Sequence, residues 1–306
     1  MEPKTGVLRI VNRATTGAAG STDTLSIDRR HASNAVLITG TIPTDADPTV
    51  DWVTVPKPTR YAADVFARAL RSKGITLTGS IRRGHAPAGH ILATHASMPV
   101  SELMTPFLKL SNNMHAEALV KTMGQETGNT GSWDSGLGVE EAYAESLGVD
   151  TSTLTLADGS GLSRLDLLSA DHITDLLIAV QDEPWFTGWY NALPIAGNPD
   201  RFTGGTLGSR MVNTPAANNL HAKTGSLTAV SGLSGYVTNA DGRELVFSML
   251  TNNYLSSTKS LEDAVGITLA SWTESGQPAR PVSRIDVRRA SSYGPDSIEC
   301  SWAKAC

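Results

Sequence analysis

Two short runs contain the residue types from which chemistry at a carbonyl group could be assembled. Ser111-Asn112-Asn113 offers a hydroxyl and two amides at the head of a helix-like stretch, Ser111 to Lys121. His221-Ala222-Lys223-Thr224-Gly225-Ser226 opens a strand-like stretch with an ammonium, two hydroxyls and a glycine in close succession. A serine hydroxyl attacks only beside a base, and the attacked carbonyl needs donors where its charge develops. Taken singly, neither run demands such a role. Ser-Asn-Asn is an ordinary way to cap a helix. Lys-Thr-Gly recurs at Lys4-Thr5-Gly6, where it leads into a plain strand.

Other reactive types are scattered more loosely. Ser256-Ser257-Thr258-Lys259 is formally a Ser-x-x-Lys, but it lies after a strand and reads as the start of a terminal helix. Asp158-Gly159-Ser160-Gly161 reads as a turn, because a nucleophile elbow would need glycine where Asp158 stands. His85, His90 and His95 share a Gly/Pro/Ala loop without acidic or cysteine companions, so no metal site is expected there. No cofactor is expected either. His115 and His221 could line a cleft without being ligands.

Periodicity indicates the elements that must hold these groups. Residues 1–55 contain the β-type runs Val7–Val11, Thr24–Ile27, Ala35–Thr39 and Trp52–Val55, which suggest a small antiparallel module. Thr59 can cap a helix in which Ala62, Val65, Phe66, Ala69 and Leu70 share one face, and Gly74 ends it. Ile75 to Ile81 then alternates like a strand. Met98 to Leu110 reads as a helix entered through Pro99 and running directly into the Ser111 helix. A Gly-rich loop is expected from Gly124 to Gly138, a helix to about Leu147, and another from Ser169, its cap, through Val180. Ala222–Ser226, Gly232–Thr238 and Glu244–Asn252 read as three consecutive strands, with Asn239-Ala240-Asp241-Gly242 turning between the last two. Ser257 to Trp272 fits an amphipathic helix. The expected division is a β-rich segment over 1–55, a main domain over 56–275 and a loose tail over 276–306.

At 306 residues, 40% hydrophobic and 18% charged, the chain can bury a proper core. A net charge of −5 without a dense basic run argues against nucleic-acid binding. No apolar run reaches membrane-spanning length, and Met1-Glu2-Pro3-Lys4 begins no signal region. Cys300 and Cys306 are the only cysteines; they read as exposed tail thiols.

Three strings in order carry more than any one of them: Ser111-Asn112-Asn113, Asp158-Gly159-Ser160-Gly161-Leu162-Ser163-Arg164 and Lys223-Thr224-Gly225. With these the chain resembles the D-alanyl-D-alanine carboxypeptidases among the low-molecular-weight penicillin-binding proteins, in the branch that carries large inserted domains. The resemblance covers roughly residues 50–273, and residues 1–50 resemble the tail of the inserted β-rich region. It implies an α/β (α+β) transpeptidase/β-lactamase-like fold, an antiparallel sheet with helices on both faces. It implies peptidoglycan stem peptides ending in D-Ala-D-Ala as substrate, cut by a carboxypeptidase with endopeptidase activity as an optional addition. β-Lactams would be mimics for the complete enzyme, which would work outside the cytoplasm.

The resemblance also implies roles. Ser111 would relay a proton, Asn113 would hold the substrate amide, and Lys223 with Thr224 would bind the terminal carboxylate. Gly225 would let the substrate backbone approach, the Ser226 N–H would be an oxyanion donor, and Ser160 and Thr228 would border the substrate. The family's nucleophile lies in an upstream Ser-x-x-Lys. Nothing before Ser111 has that pattern. The expectation is therefore a fragment without its nucleophile and first strands, unable to form an acyl-enzyme, with Glu244–Asn252 as an exposed apolar edge bearing Leu245, Phe247 and Met249 or their alternates. The competing readings are a non-catalytic scaffold on the same fold and an esterase using Ser160 or Ser256. Oligomeric state is left open.

Overall fold

Short extended runs at the N-terminus pair into two small sheets. The strands are β1 (Arg9–Asn12), β2 (Thr15–Gly17), β3 (Ser26–Arg29), β4 (Ala35–Thr39) and β5 (Thr41–Pro43). The computed structural model describes residues 1–84, 89–128 and 130–275. His85 and the Cys300/Cys306 tail lie outside the described residues. Only β3 against β4 is antiparallel; β1 runs parallel to β4 and β2 parallel to β5, so the module is mixed rather than antiparallel as expected. Neither Trp52–Val55 nor Ile75–Ile81 forms a strand. Neither has a strand beside it among the described residues to accept its backbone groups, and Trp52, Ile75 and Ile81 are exposed.

Helix α1 (Pro58–Ser72) begins with proline at its first turn, with Lys57 at the cap position and no side-chain cap from Thr59. It belongs to the unit Met1–Thr94 rather than to the main domain. The reason is electrostatic as well as steric. The Asp64 carboxylate on α1 accepts from Thr5 Oγ1 and the Gly6 N–H, both at 2.8 Å, and pairs with Arg68 at 2.9 Å. These donors, the Gly6 N–H foremost, pull the Asp64 carboxyl down to about 2.

From His95 onward a second unit is built on the sheet β6 (His221–Leu227), β7 (Val230–Thr238) and β8 (Glu244–Asn252), antiparallel throughout and ordered as in sequence. Its helices are α2 (Val100–Lys109), α3 (Asn113–Gly128), α4 (Trp133–Ser146), α5 (Ala170–Ala179), α6 (Phe186–Ala192) and α7 (Lys259–Ser271). β7 is central and alternates between two apolar layers. Leu233 and Val237 join Leu220, Ala222, Phe247 and Ala270 of α7 on one face. Tyr236 turns to the other, against Leu108, Leu177, Ala192 and Leu193 from the α2, α5 and α6 layer. Burying each such large side chain contributes roughly 1.5–3 kcal/mol. Tyr236 hides its hydroxyl by donating to the Leu177 carbonyl at 2.6 Å. The antiparallel sheet with helices on both faces is thus present.

Two expectations change in this unit. The stretch Gly124–Gly138 is not a loop: α3 continues to Gly128 and α4 starts at Trp133. Gly124, Gly128 and Gly136 are where the two helices touch. A Cβ at Gly136 would fall 2.0 Å from the Val120 carbonyl oxygen, and one at Gly124 would fall 2.7 Å from the Gly136 nitrogen. Along β8, Phe247 is buried, Leu245 packs against one core and Val246 against the other. The open part of β8 is its backbone edge rather than an apolar face.

Candidate active site

The junction of α2 and α3 places the first motif. α2 ends at Lys109, the chain turns through Leu110 and Ser111, and α3 begins at Asn113. Ser111 is therefore the hinge between two helices and not the first residue of one. Its φ of 55° is left-handed, a conformation that costs a non-glycine residue roughly 1–2 kcal/mol. Asn112 makes the cap, its side-chain oxygen accepting the His115 N–H at 3.2 Å. The strained turn lifts the Ser111 hydroxyl off the helix axis and towards β6.

There Lys223 meets it. Lys223 Nζ donates to Ser111 Oγ at 2.6 Å and to the Thr224 carbonyl at 2.7 Å. Burial brings the Lys223 ammonium down to about 8. It remains mostly protonated at neutral pH, with burial making its proton easier to release than that of an exposed lysine. An ammonium has three hydrogens, and two acceptors occupy two of them. One remains for a ligand.

β6 is held in place from behind. The segment from Pro194 runs beside it, with Ala222 N–H bonded to the Pro194 carbonyl and Ile195 bridged to His221. Lys109, buried at the end of α2, donates to the Leu193 carbonyl at 2.5 Å and so ties the Ser111 helix to that segment. Burial lowers Lys109 to about 8, against the opposing influence of Asp200. His221 stacks on Tyr190 of α6 at 4.3 Å, and burial takes its imidazole down to about 4. His115 is buried edge-on to Phe107. His221 precedes Lys223 by two residues on β6 and so shares its strand face.

The second string, Asp158 to Arg164, is a braced loop. Asp158 accepts from the N–H groups of Gly161 and Ser163 at 2.6 and 2.8 Å, and Asp166 accepts from Ala157 at 2.7 Å. A Cβ at Gly159 would meet Val120 at 2.6 Å, so the loop lies directly on α3. Arg164 reaches across to the β6–β7 turn and donates to the Thr228 carbonyl at 2.6 Å. This bond ties the loop that carries Ser160 to the turn that carries Thr228; no hydrogen bond joins Ser160 and Thr228 themselves among the described residues.

Gly225 and Ser226 are exposed on β6. The fold itself does not require glycine at 225: its φ is not left-handed, and a Cβ there would approach only the Gly232 nitrogen, at 4.0 Å. Asn113 is exposed on the first turn of α3, and the structure forms no hydrogen bond between it and Ser111 or Lys223. Ser256 lies outside this group. Lys259 opens α7 beyond β8, the sheet edge opposite β6, and its carbonyl accepts from Arg210.

One neighbour was not singled out from sequence. Thr206 Oγ1 stands 2.8 Å from Thr224 Oγ1. It sits in a single 3₁₀ turn, Gly205–Leu207, preceded by Gly204. The only signal in the sequence is the Gly-Gly-Thr run, which reads equally well as an ordinary turn.

Comparisons with known proteins fit this arrangement. The profile of the D-Ala-D-Ala carboxypeptidase 3 (S13) family matches residues 1–274. A D-alanyl-D-alanine carboxypeptidase of Actinomadura sp. is 45% identical over 307 aligned residues, 98% of this chain and 56% of that protein. Carboxypeptidase DacB of Mycolicibacterium smegmatis is 33% identical over 223 residues, 70% of this chain and 46% of that protein. Penicillin-binding protein 4 of Haemophilus influenzae, in a crystal structure with a β-lactam, superposes with a TM-score of 0.66 at 27% identity, covering 82% of this chain and 58% of that one. The chain spans about half the length of these curated relatives.

Proposed function

The chain belongs to the D-Ala-D-Ala carboxypeptidase 3 (S13) family, and from that membership we propose that its cleft binds the D-Ala-D-Ala end of a peptidoglycan stem peptide for serine-type hydrolysis. The observation that carries the proposal is the contact of Lys223 with Ser111, which joins the two motifs across the cleft. In this reading the free hydrogen of Lys223 and the hydroxyl of Thr224 hold the terminal carboxylate. The open strand face at Gly225 accepts the peptide backbone, and the Ser226 N–H faces the developing oxyanion. Ser111 passes a proton towards the departing D-alanine, with Lys223 as its exchange partner. Asn113 holds the penultimate amide, and Ser160 and Thr228 border the side chain upstream of it.

An acyl-enzyme additionally needs a serine with its base one helical turn away, and no Ser-x-x-Lys precedes Ser111. The 306 residues by themselves are accordingly a binding half-site that forms no covalent adduct. β-Lactams, which copy the D-Ala-D-Ala terminus, occupy the same cleft. Peptidoglycan places this activity outside the cytoplasm; among the described residues no helix is long and apolar enough to cross a membrane. Within this reading the unit Met1–Thr94 corresponds to inserted β-rich sequence and the unit from His95 to the acyl-transfer domain.

Intact-mass spectrometry after incubation with benzylpenicillin tests the covalent half of the proposal. An unshifted mass is expected. A stoichiometric adduct would refute it, and peptide mapping would name the serine. Titration with N-acetyl-D-Ala-D-Ala, followed by NMR, tests the binding half; resonances of Lys223 and Thr224 should move, and unchanged spectra at millimolar peptide would count against it.

A further inference from the structure

We infer that Thr206 is a third member of the carboxylate cradle, acting with Lys223 and Thr224, and that the turn carrying it is built to hold its hydroxyl at the cleft. The inference rests on the binding reading above.

Two hydroxyls 2.8 Å apart share one hydrogen, whichever of them donates it. The pair has two hydrogens, so one stays directed away from the partner. Thr206 is exposed, and Thr224 is half-buried beside Lys223. In the binding reading this remaining hydrogen and the unused hydrogen of Lys223 meet at the carboxylate, with Thr224 as the residue that links them. A group that satisfies an ammonium and a hydroxyl donor together is an anion with more than one acceptor oxygen. Cooperative polarisation adds to this, since a hydroxyl that accepts one hydrogen bond donates a stronger one.

The turn around Thr206 has almost no freedom. A Cβ at Gly204 would fall 1.8 Å from the Asn198 carbonyl oxygen, and one at Gly205 would fall 2.3 Å from the Lys109 carbonyl oxygen. Gly205 also has a φ of 52°. Leu207 is fully buried in the core beneath the sheet. The backbone on one side of Thr206 is thus pressed against the end of α2, two residues before Ser111, and its other side is anchored in the core. Thr206 is the one exposed residue of a turn whose neighbours are packed. That packing sets the spacing between the Ser111 hinge and the Thr224 hydroxyl.

The test compares N-acetyl-D-Ala-D-Ala with its C-terminal amide on the 306-residue chain, with affinities from NMR titration. Wild type should prefer the acid. Thr206→Val, which keeps the shape and removes the hydroxyl, should weaken acid binding roughly five- to tenfold and leave the amide unchanged. Thr206→Ser should restore the preference. Melting temperatures of all three proteins should agree, because the hydroxyl is exposed. An undiminished acid preference in Thr206→Val would overturn the inference while leaving the role of Lys223 standing. Equal loss for acid and amide would also overturn it, as the mark of a merely structural effect. A wild-type chain that does not distinguish acid from amide would remove the Lys223 reading and the cradle together.

Discussion

Lys223 and Ser111 are separated by 112 positions in sequence and by 2.6 Å in space. The contact is asymmetric. Lys223 is held by β6, a straight strand supported by its hydrogen-bonded neighbour β7, whereas Ser111 reaches it only through a left-handed residue between two helices. Replacing Lys223 therefore removes the cation but leaves the hinge in place. Lys223→Met should remove most of the preference for a carboxylate-ended peptide, measured against the amide.

Charge on Lys223 gives that preference a pH profile. Its folded value is about 8 and its reference value 10.5. Acid binding should be level below pH 7 and weaken as pH rises through about 8, towards what the hydroxyls alone supply, while amide binding stays level. Stability moves the other way. Between pH 8 and 10.5 the folded chain has released this proton and the unfolded chain still holds it, so folding is favoured as pH rises through that window. Lys109 adds to the trend with the same sign. A melting temperature that decreased steadily from pH 8 to 10 would contradict this, provided the protein stayed soluble.

Glu140 should act in the opposite sense. Burial, helped by the negative Asp166, lifts its carboxyl to about 7 from a reference of 4.5. Below pH 4.5 it is protonated in both states. Between pH 4.5 and 7 the unfolded chain ionises first, so its contribution to stability is lost as pH rises through that range. Glu140→Gln should flatten the fall and raise the melting temperature at pH 7.5. Differential scanning calorimetry across pH 4.5–7.5 reads both effects; an unchanged slope in the variant would reject the assignment.

Gly136 is a steric hinge-pin between α3 and α4. A Cβ there would lie 2.0 Å from the Val120 carbonyl oxygen, a clash with rigid backbone. Gly136→Ala should cost about 2–4 kcal/mol despite alanine's better helix propensity. Gly138, on the same helix, would point a Cβ into open space, with nothing but its own helix backbone nearby. Gly138→Ala should then be neutral or slightly stabilising, by up to about 1 kcal/mol. Urea unfolding of the two variants gives the comparison, and a similar cost for both would disprove the packing argument.

β8 forms the edge of its sheet, and its backbone pairs along the full strand with β7 only, among the described residues. Nine residues of unpaired edge with one charged side chain, Glu244, is an invitation to strand addition. The chain should self-associate at tens of micromolar, and Leu250→Lys, at an exposed edge position, should reduce it. Sedimentation velocity that shows a concentration-independent monomer for wild type would refute this.

What could be read in the sequence was whatever is encoded locally. Alternation and turn residues gave the boundaries of β6, β7 and β8 to within two residues, since each strand is flanked by its own turn. The Ser169 cap of α5 was legible for the same reason, a side chain bonding to its own backbone neighbourhood. Order and spacing of three short strings sufficed for the family. Three other features depend on partners far away in the chain. Gly124, Gly128 and Gly136 look like part of a loop until each is seen to be pressed by the facing helix. Ser111 looks like a helix cap until Lys223 gives its strained hinge a purpose. Thr206 carries no local signal beyond its Gly-Gly-Thr run, because its position follows from Gly205 meeting the Lys109 carbonyl and from Thr224 arriving on β6. Local hydrogen-bonding patterns and periodicity are written residue by residue, whereas close approach of backbone to backbone exists only once the chain has folded.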